Sequence, residues 1–332
     1  MKKIEPYSVE PITIEEKDRL LDDLPKYFTS NKADIHGMCV ELVTDENQFK
    51  EMWEDNFHSM SEYIRPHARI ITHEKPGETV NTVYYDQVTK TVFIYNCNYY
   101  GYVKSIALAA AGDFLEDYHS VHNRYSVHGS CIDIKGRGCA IIAPSGSGKT
   151  TLSYGLLLLK EAKLVSDDWF YVQSTDTDIV AHASEMNSYI REDIGDNWSI
   201  FKRLLEDVKL DEQHRGIVDV ELAVGKMKTR DTTILRSVFL LKRDGNDATR
   251  LRKLKTAEAV EFLVQHDFCN PHQLMRNEYK KTLRIEAFKD VFKKTSVYLL
   301  NTAHDTPKKS RQKLIEVIKE EVGLKNEARI LP

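Results

Sequence analysis

The chain has 332 residues, 41% of them apolar and 30% charged, with a formal net charge of −4. That balance fits a globular protein of one large domain, or a core domain with a smaller companion. It argues against a nucleic-acid-binding surface spread over the whole chain. No apolar run reaches membrane-spanning length, and the opening MKKIEPYSVEPITIEEK lacks the apolar stretch of a signal peptide. Five scattered cysteines (Cys39, Cys97, Cys131, Cys139, Cys269) without a CxxC pair argue against a disulfide framework and a structural zinc site. The cytoplasm is the expected compartment, with no membrane and no nucleic-acid partner.

In chain order, Thr13 and Glu16 have the spacing of a capping box and open a helix that stops near Pro25. ARIITH and TVNTVYYD read as strands around the turn signal EKPGE, and KTVFIYN continues the β character. A helix is predicted from about Val103 to Tyr118, and its IALAAAGDFL portion reads as a core-packing segment. His119 and His122 have metal-ligand spacing but no third ligand, so no zinc site is expected there. SVHGSCIDI, the turn KGRG and CAIIA predict two apolar strands and their connection. Further on, TTILRSVFLLKR and SVYLLNT read as strands, and TAEAVEFLVQHDF and RIEAFKDVFKK as helices. PKKSRQKLIEVIKEEV reads as a closing helix with Pro307 in its first turn and a solvated basic face. The whole predicts a smaller α+β part over residues 1–100 and a mixed α/β core over 101–332.

One stretch carries chemistry. After the strand CAIIA come PSGSGK and the helix TTLSYGLLLL, in the order strand, glycine loop, helix. Glycines let backbone N–H groups curl round an anion, and the helix N-terminus adds its positive dipole end. Ser145, Gly146, Ser147, Gly148, Lys149, Thr150 and Thr151 are therefore the candidate nucleotide-binding residues. Lys149 would neutralise the β/γ-phosphates, and the Thr150 hydroxyl would sit on magnesium. Ala143 stands where the pattern GxxxxGK(S/T) has its first glycine, so the match is one residue short.

KLVSDDWFYV then reads as a second core strand with Asp167 and Asp168 amid apolar neighbours. Two adjacent carboxylates there are costly to bury without a cation or a proton. One would hold a divalent ion and the other accept a proton from an attacking hydroxyl.

Together, the run VHGSCIDIKGRGCAIIAPSGSGKTTLSYGLLLLKEAKLVSDDWFYV resembles the catalytic core of the HPr kinase/phosphorylase family. The ATP-dependent phosphoenolpyruvate carboxykinases share its order. The resemblance is specific over about residues 125–172 and loose beyond. It implies a P-loop kinase core with a mixed sheet, ATP as donor, and magnesium, or manganese in its place. It also implies that Asp168 is a metal ligand with Thr150, that Asp167 is the better candidate for orienting or deprotonating the acceptor, with the two roles open to exchange, and that His128 is an active-site histidine. Thr151 is closer to the carboxykinase form, where HPr kinases commonly carry Glu. RGIVDVELAVGKMKTR weakly echoes another segment of the HPr kinases. It suggests Arg215 as the arginine that meets the transferred phosphoryl group, with Arg191 competing.

The expected activity is thus phosphoryl transfer to a hydroxyl of a small metabolite or a protein serine, with self-association left open. The alternatives are a phosphoenolpyruvate carboxykinase-type lyase, for which the chain is short, and a nucleotide-binding regulator without turnover.

Overall fold

The computed structural model describes residues 7–191, 194–202, 215–219, 225 and 227–322, with side chains left aside at 189–191, 215–219 and 322. The chain forms a mixed α/β protein with two large mixed sheets. It divides into two compact units: residues 1–122 with 272–280, and residues 123–271 with 281–332. Among the described residues no helix is long and apolar enough to cross a membrane. All five cysteines are buried and free of disulfides.

The first unit is built on seven strands: β1 (Val9–Pro11), β2 (Thr29–Ile35), β3 (Met38–Thr44), β4 (His58–Ser59), β5 (Ala68–His73), β6 (Thr82–Asp86) and β7 (Thr91–Tyr95). Their order is β1-β6-β7-β5-β3-β2-β4. Helix α1 (Ile14–Asp22) begins at the Thr13–Glu16 capping box, and α2 is Asn47–Asn56. Helix α3 (Tyr100–Asp117) is apolar on nearly every side and correspondingly buried. A single turn, α4 (His119–His122), follows it.

Because α3 packs on β5 and the Tyr85 hydroxyl donates to Asp113 at 2.7 Å, the boundary falls after residue 122 rather than at 100. Asp113 and Asp117 of α3 both meet Lys90, and both meet Lys280, at 2.9 and 2.6 Å. Glu116 lies 3.5 Å from the same Lys280 ammonium. Burial would raise the carboxyl of Asp113, but Lys90 and Lys280 hold it below the usual carboxylate range.

The second unit carries β8 (Arg124–His128), β9 (Ser130–Ile134), β10 (Arg137–Ile142), β11 (Ala162–Ser166), β12 (Trp169–Ser174) and β13 (Ile179–Ala183). Beyond the separate ladder of β14 (Asn187–Arg191) with β15 (Arg215–Asp219) come β16 (Thr232–Lys242), β17 (Leu251–Leu254) and β18 (Ser296–Asn301). The long β16 runs parallel to β10 along one edge. Along the other, its first half pairs antiparallel with β13 and its second half parallel with β18.

Alternation on β10 sends Cys139 and Ile141 to one face and Ala140 and Ile142 to the other. Helices α5 (Lys149–Leu157) and α9 (Pro307–Val322) cover the first face, through Leu152, Leu156, Leu314 and Ile318. Helices α7 (Thr256–Gln265) and α8 (Glu278–Lys294) cover the second, through Leu263, Phe288 and Phe292. A short turn, α6 (Ile194–Asn197), lies between β14 and β15 in sequence.

Two stretches that read as single strands are each broken. SVHGSCIDI divides at Gly129 into β8 and β9, and KLVSDDWFYV divides at Asp167–Asp168 into β11 and β12. The reason is a change of partner: β9 and β11 pair with each other, while β8 pairs with β12. The Gly129 N–H donates to the Asp168 carbonyl at 3.0 Å across the two breaks.

The fully buried Lys280 answers three carboxyl groups, so its loss removes a cation shared by all three. Lys280→Met should lower unfolding stability by about 3 kcal/mol, the usual cost of breaking a buried ion cluster from one side. Urea unfolding at pH 7 checks this, and an unchanged midpoint would show that the cluster contributes nothing to stability.

Candidate functional site

The parallel strands β10, β16 and β18 end together, with Ile142 level with Leu240 and Lys242 level with Asn301. Ligands in α/β sheets gather outside such carboxyl ends. The glycine loop leaves β10 there and enters α5 at Lys149. Gly146 and Gly148 take φ of +80° and +95°, and the space where a Cβ would stand is open at both. Conformation rather than crowding therefore calls for glycine at these positions. The loop is tied down by its own groups: Ser147 N–H donates to the Pro144 carbonyl at 3.3 Å, and the Thr302 hydroxyl donates to the Ser147 carbonyl at 3.1 Å. The Ser153 hydroxyl donates to the Lys149 carbonyl at 2.9 Å and also meets Ser130 of β9. Ser145 and Gly146 are exposed, while Thr150 and Thr151 are half-buried in the first turn of α5.

Around this loop the structure gathers Lys149, Asp168 and His128. Lys149 Nζ lies 2.6 Å from Asp168 Oδ1, and His128 Nε2 lies 3.4 Å from the same oxygen. His128 Nδ1 is 2.6 Å from the Cys269 carbonyl, which can only accept, so Nδ1 carries the proton of the neutral ring. Nε2 then presents its lone pair towards a carboxylate, an arrangement that favours a cation near both.

The two aspartates differ sharply. The Asp168 side chain is 36% exposed. Asp167 is only 4% exposed, its Oδ1 has no hydrogen-bond partner, and Ser188 donates to its carboxyl. Burial pushes the Asp167 carboxyl up to about 7, with the Asp168 charge adding to it and Lys149 and Ser188 partly offsetting it.

The carbonyl that holds His128 belongs to an unusual turn. Asp267, Phe268 and Cys269 follow one another at φ of 47°, 54° and 54°. Left-handed backbone costs about 1 kcal/mol or more per non-glycine residue, so three in succession persist only because their surroundings hold them. Phe268 and Cys269 are buried in the core beneath α7 and α8.

On the flank of residues 144–147 opens a cleft of about 690 Å³, lined among others by Lys242, Arg243, Arg252, Phe262 and His266. Lys242 is paired with Asp244 and Asp247, and Arg252 with Glu258. Arg243 is exposed, and no carboxylate among the described residues pairs with it. The side chains of Arg191 and Arg215 lie outside the described residues, although their backbones stand directly opposite in the β14–β15 ladder.

Sequence reasoning passed over three groups here: Arg243, the Cys269 carbonyl and the Ser130–Ser153 pair. Only Arg243 left a signal, as the last residue of a strand pattern whose end points to the site.

For magnesium, no group of three His, Cys, Asp or Glu among the described residues is placed to hold a metal unaided. Magnesium seldom needs one, since one or two carboxylates with substrate phosphates commonly suffice. Asp168 with the Thr150 hydroxyl fits that donor set, and the unpartnered buried oxygen of Asp167 stands next to it in the chain. No protein-family model matches the chain, and no curated protein matches it.

Asp167 sets a pH dependence of stability. The folded carboxyl keeps its proton to about pH 7, whereas the ordinary value is 3.8. The folded protein thus binds more protons between those values, and its stability declines as pH rises through the window. Asp167→Asn should therefore raise Tm above wild type at pH 8, with the difference vanishing below pH 4. Equal Tm values at pH 8 would show that the buried carboxyl costs nothing.

Proposed function

We propose that the chain is a nucleotide-dependent phosphotransferase of the HPr-kinase-like kind, moving the γ-phosphoryl group of ATP to a hydroxyl. One observation carries the reading: Lys149, Asp168 and His128 converge at the mouth of a glycine loop whose conformation suits an anion. A binding site alone needs neither the carboxylate nor the histidine there.

In this scheme backbone N–H groups of the loop and the start of α5 hold the phosphates. Lys149 exchanges its contact with Asp168 for the β/γ-oxygens. Magnesium, when bound, would neutralise charge on those oxygens, and Asp168 and Thr150 are the residues that would hold it. The acceptor oxygen bonds to the γ-phosphorus as the bridge to the β-phosphate breaks and ADP leaves. The transition state is loose, so the hydroxyl gives up its proton late and a weak base suffices. With Asp168 engaged by the ion, His128 Nε2, 3.4 Å from the same carboxylate, is the group that would take that proton. Asp167, enclosed and titrating near neutrality, would act behind Asp168 by holding or releasing a proton as the charge in front of it changes. Of the two arginines on the loop's flank, Arg252 is paired with Glu258, and Arg243 would neutralise phosphate charge there.

Purified protein with magnesium and γ-labelled ATP, offered desalted cell protein or a small-molecule extract in separate tubes, tests the reading and sorts the acceptor class. Transfer of label into one of them is expected. Intact ATP in both tubes would sink the kinase assignment. Lys149→Ala should weaken ATP binding at least tenfold. Asp168→Asn should keep the fold and the bound nucleotide yet lose turnover by a hundredfold or more, because the charge that would hold the ion at the reacting phosphate is gone. Full turnover in Asp168→Asn would remove that residue from the chemistry.

A further inference from the structure

The cleft beside the glycine loop has a composition that phosphate binding does not require. Of its cations, Lys242 and Arg252 are neutralised by their own carboxylates, and Leu254 and Leu299 supply an apolar wall. Set against that wall is a fixed aromatic pair. The His266 ring lies over Phe262 with centroids 4.2 Å apart and planes 28° from parallel. Its Nδ1 donates to the Phe262 carbonyl at 2.8 Å, which locks the ring, while the residue as a whole is exposed. Phe262 covers one face of the imidazole, and His266 also lines the cleft. At about 690 Å³ the cleft has the volume of a small-molecule site. It borders residues 144–147 but includes none of His128, Lys149 and Asp168.

We infer that this cleft receives the purine base of the nucleotide, stacked on His266, while the phosphates lie in the glycine loop. The inference rests on the proposed function, because it takes the loop to be the phosphate site. A fused two-ring base covers the imidazole and reaches the leucine wall, whereas a pyrimidine covers less of both. Arg243, on the same edge, stands where the ribose and first phosphate would pass. Stacking on an aromatic side chain strengthens binding by about tenfold or more per base.

Isothermal titration of the full chain with magnesium ADP, magnesium CDP and magnesium pyrophosphate tests this. Wild type should bind ADP about tenfold or more tighter than pyrophosphate, with CDP between them. His266→Ala should lose that advantage while binding pyrophosphate as before, and His266→Phe should keep it. The conservative Phe variant separates loss of stacking from loss of fold. Three results would overturn the base site and leave the loop reading intact: ADP no tighter than pyrophosphate in wild type, an unchanged ADP advantage in His266→Ala, or CDP equal to ADP. Failure of wild type to bind any of the three ligands would overturn the proposed function together with the base site.

Discussion

A single backbone hydrogen bond, from the Gly129 N–H to the Asp168 carbonyl, joins two strand breaks and fixes the geometry of the candidate site. On one side of it the chain passes from β8 to β9, and on the other from β11 to β12. Each passage leaves a polar side chain at the edge of an apolar sheet: His128 before one break, Asp168 within the other. The approach of the strands is close enough that a Cβ on residue 129 would stand 2.9 Å from the Ile141 carbonyl and 3.3 Å from the Phe170 ring. The candidate site therefore depends on a residue that offers it no functional group, only the absence of a side chain.

Much of the outline was legible in the amino-acid order. The capping box at Thr13, the apolar runs of β10, β16 and β18, and the all-round apolar α3 announce their own structure, because local spacing and composition decide them. The strand breaks did not announce themselves. A run such as KLVSDDWFYV has uniform β character, and what divides it is a switch of pairing partner contributed by residues far away in the chain. The boundary after residue 122 was hidden for a similar reason, since a buried helix has the same composition whichever sheet it covers. Within the site, Lys149 and Asp168 could be named from their types and order, and His128 only through the family resemblance. The Cys269 carbonyl could not, because every residue has one and only the fold selects which is used.

The same region is where local rules are broken together. A carboxyl is buried without full compensation at Asp167, a lysine is spent on a neighbouring carboxylate at Lys149, and three consecutive residues adopt left-handed backbone at 267–269. Away from it, the interior follows ordinary practice: apolar clusters fill both faces of the second sheet, and the buried acids of α3 are matched by lysines. Such concentration of local conflict is expected where a fold is shaped by a task rather than by stability alone.

The return of residues 272–280 to the first unit gives the chain a temporal order as well as a spatial one. On the ribosome, Asp113, Glu116 and Asp117 emerge with the first unit, but Lys280 follows only after most of the second unit has been made. Until then the helix that carries those acids lacks one of the lysines that answer their charge. The amino-terminal unit is thus first to be synthesised yet not first to be finished. Its completion signals that the second unit has been translated past β16 and most of its sheet.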